Sequence, residues 1–405
     1  MQTPNGLGRR AILAALGTAS AATAVTAPAR ADSPEVVKVG YVRWMEHTPT
    51  ISLLDRPARN DGIAGAQMGM DDNNTTGRFL GQQYTIADVP VYPQDDLATK
   101  LAGLMQNGVA LVITDAPAAQ VLQLADAGRE KSVTIFNIHS PEDSLRQQNC
   151  RANVVHVAPS RAMLADALGE YLAWKKWTRW LLAYGSHPND AAMRDAYRRS
   201  AKRYGARIVQ ERQYTAKAGS RETDTGLLQI QQQLPVFTQH APEYDVLVAA
   251  DENQVFAGYL PYRTWDPRPV AGSAGLMPVS WSASSESYGG AQMQDRFIRQ
   301  FHRLMKPLDM NAWVATRLIG EAASRTNSAD PTKIMAYIKG PDFQIGAYRG
   351  EALSIRSWDL QVRQNIFLDD GRNVVSISPQ PGYLHPVTDL DTLGFDRPET
   401  ECKLK

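Results

Sequence analysis

The residues of this 405-residue chain that could do chemistry are carboxylates, histidines and tryptophans, and none has a partner at catalytic spacing. Asp72-x-Asn74-x-Thr76-Gly77 has the opening of a calcium loop, in which oxygens at alternate positions surround a hard cation. Its twelfth position is Gln83, where such a loop needs a bidentate Glu. The stretch therefore reads as a polar helix end stopped by Gly77. His139 and His156 could serve as general bases, yet each stands alone, with no nucleophile motif beside it. There is no P-loop, G-x-S-x-G elbow, H-E-x-x-H helix or dinucleotide fingerprint. Two cysteines and seven scattered histidines give no metal-ligand spacing. The expectation is a binding protein and not an enzyme, with no cofactor and no metal.

Binding residues are placed by the elements that carry them. VVKVGYV (36–42), YTIADVPVY (84–92), VALVIT (109–114) and SVTIFNI (132–138) are β-branched or apolar runs. Between them lie helical stretches at 57–76, 95–108 and from Pro117 to Gly128, the first rich in Gly and Ala for close packing. The rhythm then restarts: a helix at 159–177, a strand at 178–185, a helix at 189–205 stopped by Gly205, strand ARIVQERQY, helix GLLQIQQQLPVF and strand YDVLVAAD (244–251). A helix carrying Met293, Phe297 and Phe301 and another at 311–325 follow. The end turns β-like, with a hairpin signal at Asp369-Asp370-Gly371 and a Pro- and Asp-rich tail (379–405) expected to wrap the surface. Strands alternating with helices predict an α/β protein of two doubly wound parallel-sheet lobes.

In such sheets a ligand sits beyond the carboxyl ends of the strands. Those ends carry Trp44, Thr114, Asp115, His139 and Ser140 in the first series, and Tyr184, Asp190, Asp251, Glu252 and Trp281 in the second. Aromatic faces mixed with a few polar or anionic groups suit a pocket closing on a small molecule. For Trp44 and Trp281 the alternative is core packing, and for Asp251 it is capping of the segment that begins near Asn253.

Residues 9–31 bear on location. Arg9-Arg10, the mildly apolar AILAALGTASAATAVTA and Ala29-Arg30-Ala31 form a signal peptide cleaved before Asp32, and the arginine pair points to twin-arginine export. Cleavage removes three of the 43 basic residues and none of the 42 acidic ones, leaving a charge of about −2, which argues against a nucleic-acid or anionic-membrane surface. No later run reaches the length of a membrane span. In an oxidising periplasm Cys150 and Cys402 could form one disulfide that pins the tail; two free thiols is the alternative.

Gly77-Arg78-Phe79-Leu80-Gly81 before a strand resembles the G-G-x-L-G segment of type I periplasmic binding proteins, the leucine/isoleucine/valine-binding class of ABC-transporter receptors. So does VVHVAPSRAMLADALGEYLAWKKWTRWLLAYG, and the resemblance spans nearly the whole mature chain. More narrowly, DSLRQQNCRANVVHVAPSRAMLADAL, AKRYGARIVQERQY and LDTLGFDRPETEC resemble the substrate-binding proteins encoded beside pyrroloquinoline-quinone-dependent alcohol oxidation genes. The resemblance implies three hinge crossings near 158–160, 281–285 and 350–360. One lobe is then 35–158 with 283–350, and the other 159–282 with 351–378. It also implies closure on a small solute and delivery to ABC permease subunits; a sensor or accessory protein of the alcohol dehydrogenase system is the alternative. One departure stands out. Amino-acid receptors of this class hold an α-carboxylate with Ser/Thr-rich loops, whereas TDAPA and NIHSPED here bring Asp115, Glu142 and Asp143, which leaves the ligand open.

Overall fold

Runs that are apolar at every position belong to strands covered on both faces, and the computed structural model folds them in that way. It describes residues 34–46, 56–216 and 224–404; the signal peptide read at 1–31 lies outside them. The first sheet joins β1 (Glu35–Trp44), β2 (Gln82–Val91), β3 (Leu111–Thr114), β4 (Thr134–Asn137) and β5 (Val154–His156). All pair in parallel, in the order β2-β1-β3-β4-β5. The second joins β6 (Arg179–Tyr184), β7 (Arg207–Gln213), β8 (Val246–Ala250) and β9 (Val270–Gly272) in the order β7-β6-β8-β9, again parallel. In each, strand order reverses beside the opening strand, which leaves a crevice at that strand's carboxyl end.

Helices cover both faces of each sheet. On the first, α1 (Ile63–Leu80), α8 (Gly290–Phe301), α9 (Pro307–Thr326) and α10 (Pro331–Ile338) bury the larger core, while α2 (Leu97–Gln106) and α3 (Ala118–Gly128) close the other face. On the second, α4 (Arg161–Trp174) and α5 (Pro188–Arg203) lie opposite α6 (Asp224–Thr238) and α7 (Leu260–Arg263). The α1–α9 crossing is close because α1 offers glycine: a Cβ on Gly65 would sit 1.8 Å from the Asp309 carbonyl oxygen. Among the described residues no helix is long and apolar enough to cross a membrane.

Two local expectations change. The first helix starts at Ile63 instead of 57 and runs through Gly77 to Leu80, stopped by Gly81 at φ 65°. Gly77 is there for space, since a Cβ would meet the Gln82 carbonyl at 2.6 Å. The tail is not a surface wrap alone. Leu393 is buried with Met163, Ala167 and Ile366, Leu390 is buried as well, and buried Arg356 and half-buried Arg363 both bond Asp391. Cys150 and Cys402 are disulfide-bonded, with Cα atoms 5.6 Å apart.

The chain passes between the sheets three times: from β5 into α4, from β10 (Met277–Val279) into α8, and after α10 into β11 (Ser354–Ile355), β12 (Val362–Arg363), β13 (Ile366–Asp369) and β14 (Val374–Ser378). β10, β13 and β14 form an antiparallel sheet, and the Asp369–Gly371 hairpin joins its last two strands. Buried side chains lace the first and third crossings together. Arg146 donates to the Gln361 side chain and to the Ser140 and Ala158 carbonyls. Gln361 Nε2 donates to the His156 carbonyl, and Gln364 Nε2 to that of Val157. Such donors satisfy backbone groups that no sheet can pair.

Candidate functional site

A cavity of about 840 Å³ opens where the carboxyl ends of β1, β3 and β4 face the segments after β5, β8 and β10. Three of the expected residues line it: Trp44, Asp115 and His139. The Trp44 Nε1 donates to Glu46 at 2.9 Å, and its backbone N–H to Asp115 Oδ1 at 2.6 Å. The Tyr41 hydroxyl donates to Asp115 Oδ2 at 3.1 Å. Burial nevertheless dominates and pushes the Asp115 carboxyl up to about 7. Burial also pulls the His139 imidazole below its usual range, favouring the neutral ring.

The other expected residues do not line it. Thr114 is buried, donating to the Val42 carbonyl. The Ser140 hydroxyl donates to Glu142 inside its own loop. Tyr184 carries the Arg194 guanidinium over its ring, 4.8 Å from the centroid. Asp190, wholly buried, accepts the backbone N–H groups of His187 and Asn253. Asp251 accepts those of Val255, Phe256 and Ala257, so it caps the turn after β8. Glu252 is held by Arg161 through two bonds of 2.6 Å. Trp281 is 1% exposed in the larger core, its ring 6.0 Å from that of Phe367. Of the acids in the two loops, Asp115 alone lines the cavity; Glu142 pairs with Arg161, and Asp143 accepts the Ala162 N–H.

Other groups complete the wall. Arg59 and Asp61 come from the segment before α1, Lys306 and Asn311 from the start of α9, and Gln254 from the turn after β8. Gln254 has φ 53°, a left-handed conformation that non-glycine residues adopt at some cost. Burial and then the nearby Asp309 charge raise the Asp61 carboxyl to about 6. Asn311 donates to the Ile138 carbonyl at 3.0 Å. Asp61 Oδ1 and Asn311 Oδ1 are buried acceptors with no hydrogen-bond donor among the described residues. Arg43, also in the wall, is committed to Asp88 at 2.8 Å. The strand-end rule could have found 57–61 had the helix not been started at 57. Lys306 and Asn311 sit on a helix far along the chain, and no local signal marks them.

Residues 57–368 match the model of the periplasmic binding protein family. The chain belongs to that family. Its members bind solutes and are not enzymes, and the family places this protein in the periplasm. Among curated proteins no sequence matches. Solved structures share the fold. A periplasmic binding protein from Burkholderia mallei superposes with a TM-score of 0.64 at 17% identity, covering 91% of this chain and 99% of that one. A branched chain amino acid ABC transporter periplasmic ligand-binding protein from Burkholderia xenovorans LB400 gives 0.66 at 15%, covering 84% and 95%. An ABC transporter solute binding protein from Rhodopseudomonas palustris BisB5, in complex with 3,4-dihydroxy benzoic acid, gives 0.58 at 15%, covering 83% and 93%.

Proposed function

We propose that the protein is the exported receptor of an ABC importer, which takes a hydroxyl-bearing small solute into this cavity and hands it to permease subunits. The observation that carries the ligand class is the pair of donor-less acceptors, Asp61 Oδ1 and Asn311 Oδ1, beside Asp115. A buried acceptor left unpaired costs about 1–3 kcal/mol, so a solute that brings O–H donors recovers that energy. Asp115, with its carboxyl near 7, can give or accept a proton in such a bond. Trp44, Leu164 and Leu308 offer apolar surface to the body of the solute. The hydroxylated aromatic acid held by the Rhodopseudomonas palustris protein is a ligand of this general kind.

The lobes that close on it are 35–158 with 283–350 and 159–282 with 351–378. The two parallel sheets and the bonds that lace the first crossing to the third support that division. The leader at 1–31 delivers the chain to the periplasm. The link to quinoprotein alcohol oxidation draws its support from the strings around Cys150 and the tail, and a hydroxyl-bearing solute agrees with it. A thermal-shift screen against alcohols, aldehydes, hydroxylated aromatic acids and amino acids tests the reading. A ligand at about 100 times its Kd should add about 2.7 kcal/mol. A response confined to the hydroxyl-bearing classes is expected. A response to amino acids alone would overturn the ligand class, and silence across the panel would turn the reading toward an accessory protein that binds another protein.

A further inference from the structure

A second cavity, of about 590 Å³, shares no lining residue with the first. It lies among α1, α8, α9 and the loop 346–352. Its most telling group is Arg349, 1% exposed, whose Nη1 donates to Gln364 while Nε and Nη2 have no partner among the described residues. A buried guanidinium without a counter-charge is costly. Burial accordingly pulls its pKa down to about 9, with no acid offsetting the effect. The acids nearby do not reach it. Asp72 is taken by Arg296 and by the Trp313 Nε1 at 2.9 Å. Glu351 is exposed and makes no ion pair among the described residues. A second cation, Arg317, bonds neutral Asn73.

The free atoms of Arg349 are informative as a pair. Nε–H and the Nη2–H beside it form one edge of the guanidinium fork, the edge that takes both oxygens of a carboxylate in parallel bonds. The walls around it are aromatic. The Trp313 and Tyr348 rings stand 5.6 Å apart at 51°, and Tyr288 also lines the cavity. Tyr288 and Tyr348 both have left-handed backbone, at φ 53° and 57°. Each packs against a glycine of the other's loop, since a Cβ on Gly350 would meet the Tyr288 ring at 3.2 Å and one on Gly289 the Tyr348 ring at 3.1 Å.

We propose that this cavity is a second ligand site, which binds a small organic carboxylate with a flat apolar body: its carboxylate on the free edge of Arg349, its body against Trp313, Tyr288 and Tyr348. The proposal is independent of what the larger cavity binds.

Benzoate and inorganic phosphate are the probes, titrated into the purified protein by calorimetry and by Trp fluorescence. Saturable benzoate binding is expected, weakened at least tenfold by Arg349→Met and tighter than phosphate. Arg349→Lys keeps the charge but loses the fork, and should weaken benzoate by a similar factor; it also serves if the Met variant does not fold. Trp44→Ala, which alters the other cavity, separates the sites. Benzoate binding that survives both Arg349 variants but is lost in Trp44→Ala would place the anion in the larger cavity and overturn the proposal. Absence of saturable benzoate binding would overturn it too, and phosphate binding tighter than benzoate through Arg349 would overturn the carboxylate class.

Discussion

Asp115 sets a pH dependence whose sign and size follow from its surroundings. It is 9% exposed, and burial lifts its carboxyl from 3.8 to about 7 despite the bonds from Trp44 and Tyr41. Below about pH 4 both folded and unfolded chains hold the proton, and the stability linked to it is fully present. Between about pH 4 and 7 the folded state alone keeps it, so stability falls as pH rises, at about 1.4 kcal/mol per unit. Across roughly three units the ceiling is about 4 kcal/mol, and above pH 7 the loss is complete. Asp115→Asn removes the titration while its amide oxygen can still accept the Trp44 N–H. The variant should match the parent at about pH 4 and exceed it by about 2–4 kcal/mol at pH 8. Urea unfolding of both proteins at several pH values reads the difference. Asp61, Glu170 and Asp359 also titrate upward, to about 6, 7 and 6, but they are common to both proteins and cancel. A gain that is equal at both ends of the range, or that shrinks as pH rises, would refute the reasoning.

Trp281→Ala should cost about 3–5 kcal/mol of stability, the usual toll for truncating a core aromatic, with solute affinity changed only through folding. Trp44→Ala should instead weaken solute binding and leave the melting temperature nearly unmoved; paired melting and binding curves check both, and reversed behaviour would exchange their places in the molecule. Cys402→Ser opens a link that spans 252 residues, for which chain entropy gives a loss of about 5 kcal/mol. The buried Leu390–Leu393 stretch and the Arg356–Asp391 pair hold the tail without it, so the variant should fold yet show a clearly lower urea midpoint. Equal midpoints would mean that the unfolded chain gains nothing from losing the link.

The strands were the most legible part of the sequence, because β3, β4 and β8 are buried at every position and their composition says so. Of the residues the strand-end rule points to, Trp44, Asp115 and His139 line the cavity, since a parallel sheet fixes where its carboxyl ends point. It failed for Asp190 and Asp251 because a carboxylate beside a turn serves exposed backbone N–H groups as readily as a ligand. It failed for Trp281 because an aromatic after a short strand can turn inward, and this one meets Phe367. Lys306 and Asn311 reach the cavity only through the packing of α9 on α1. That contact joins residues about 245 positions apart, as the Gly62 bond to Asp309 shows, and no local pattern encodes it.

Arg161 is where the electrostatics of the two halves meet. It opens α4, is 3% exposed on its side chain, and touches Glu252 at 2.6 Å and Glu142 at 3.3 Å. Glu252 lies just after β8 of the second sheet, whereas Glu142 lies on the loop after β4 of the first. On the proposed hinge, opening would keep the short pair and break the long one. Glu142 has support of its own, because the Ser140 hydroxyl donates to it. Arg161 is not left uncompensated, because Glu252 stays on it, so parting the long pair costs less than the roughly 3–5 kcal/mol of breaking a buried pair outright. Moving a two-state equilibrium from one extreme to the other takes about 5.5 kcal/mol. The latch is too weak to close the cleft unaided, and most of the closing energy has to come from a solute that touches both walls, with Asp61, Asp115 and Asn311 on one side and Gln254 on the other. That division of labour is what a receptor needs if it is to signal occupancy by its shape.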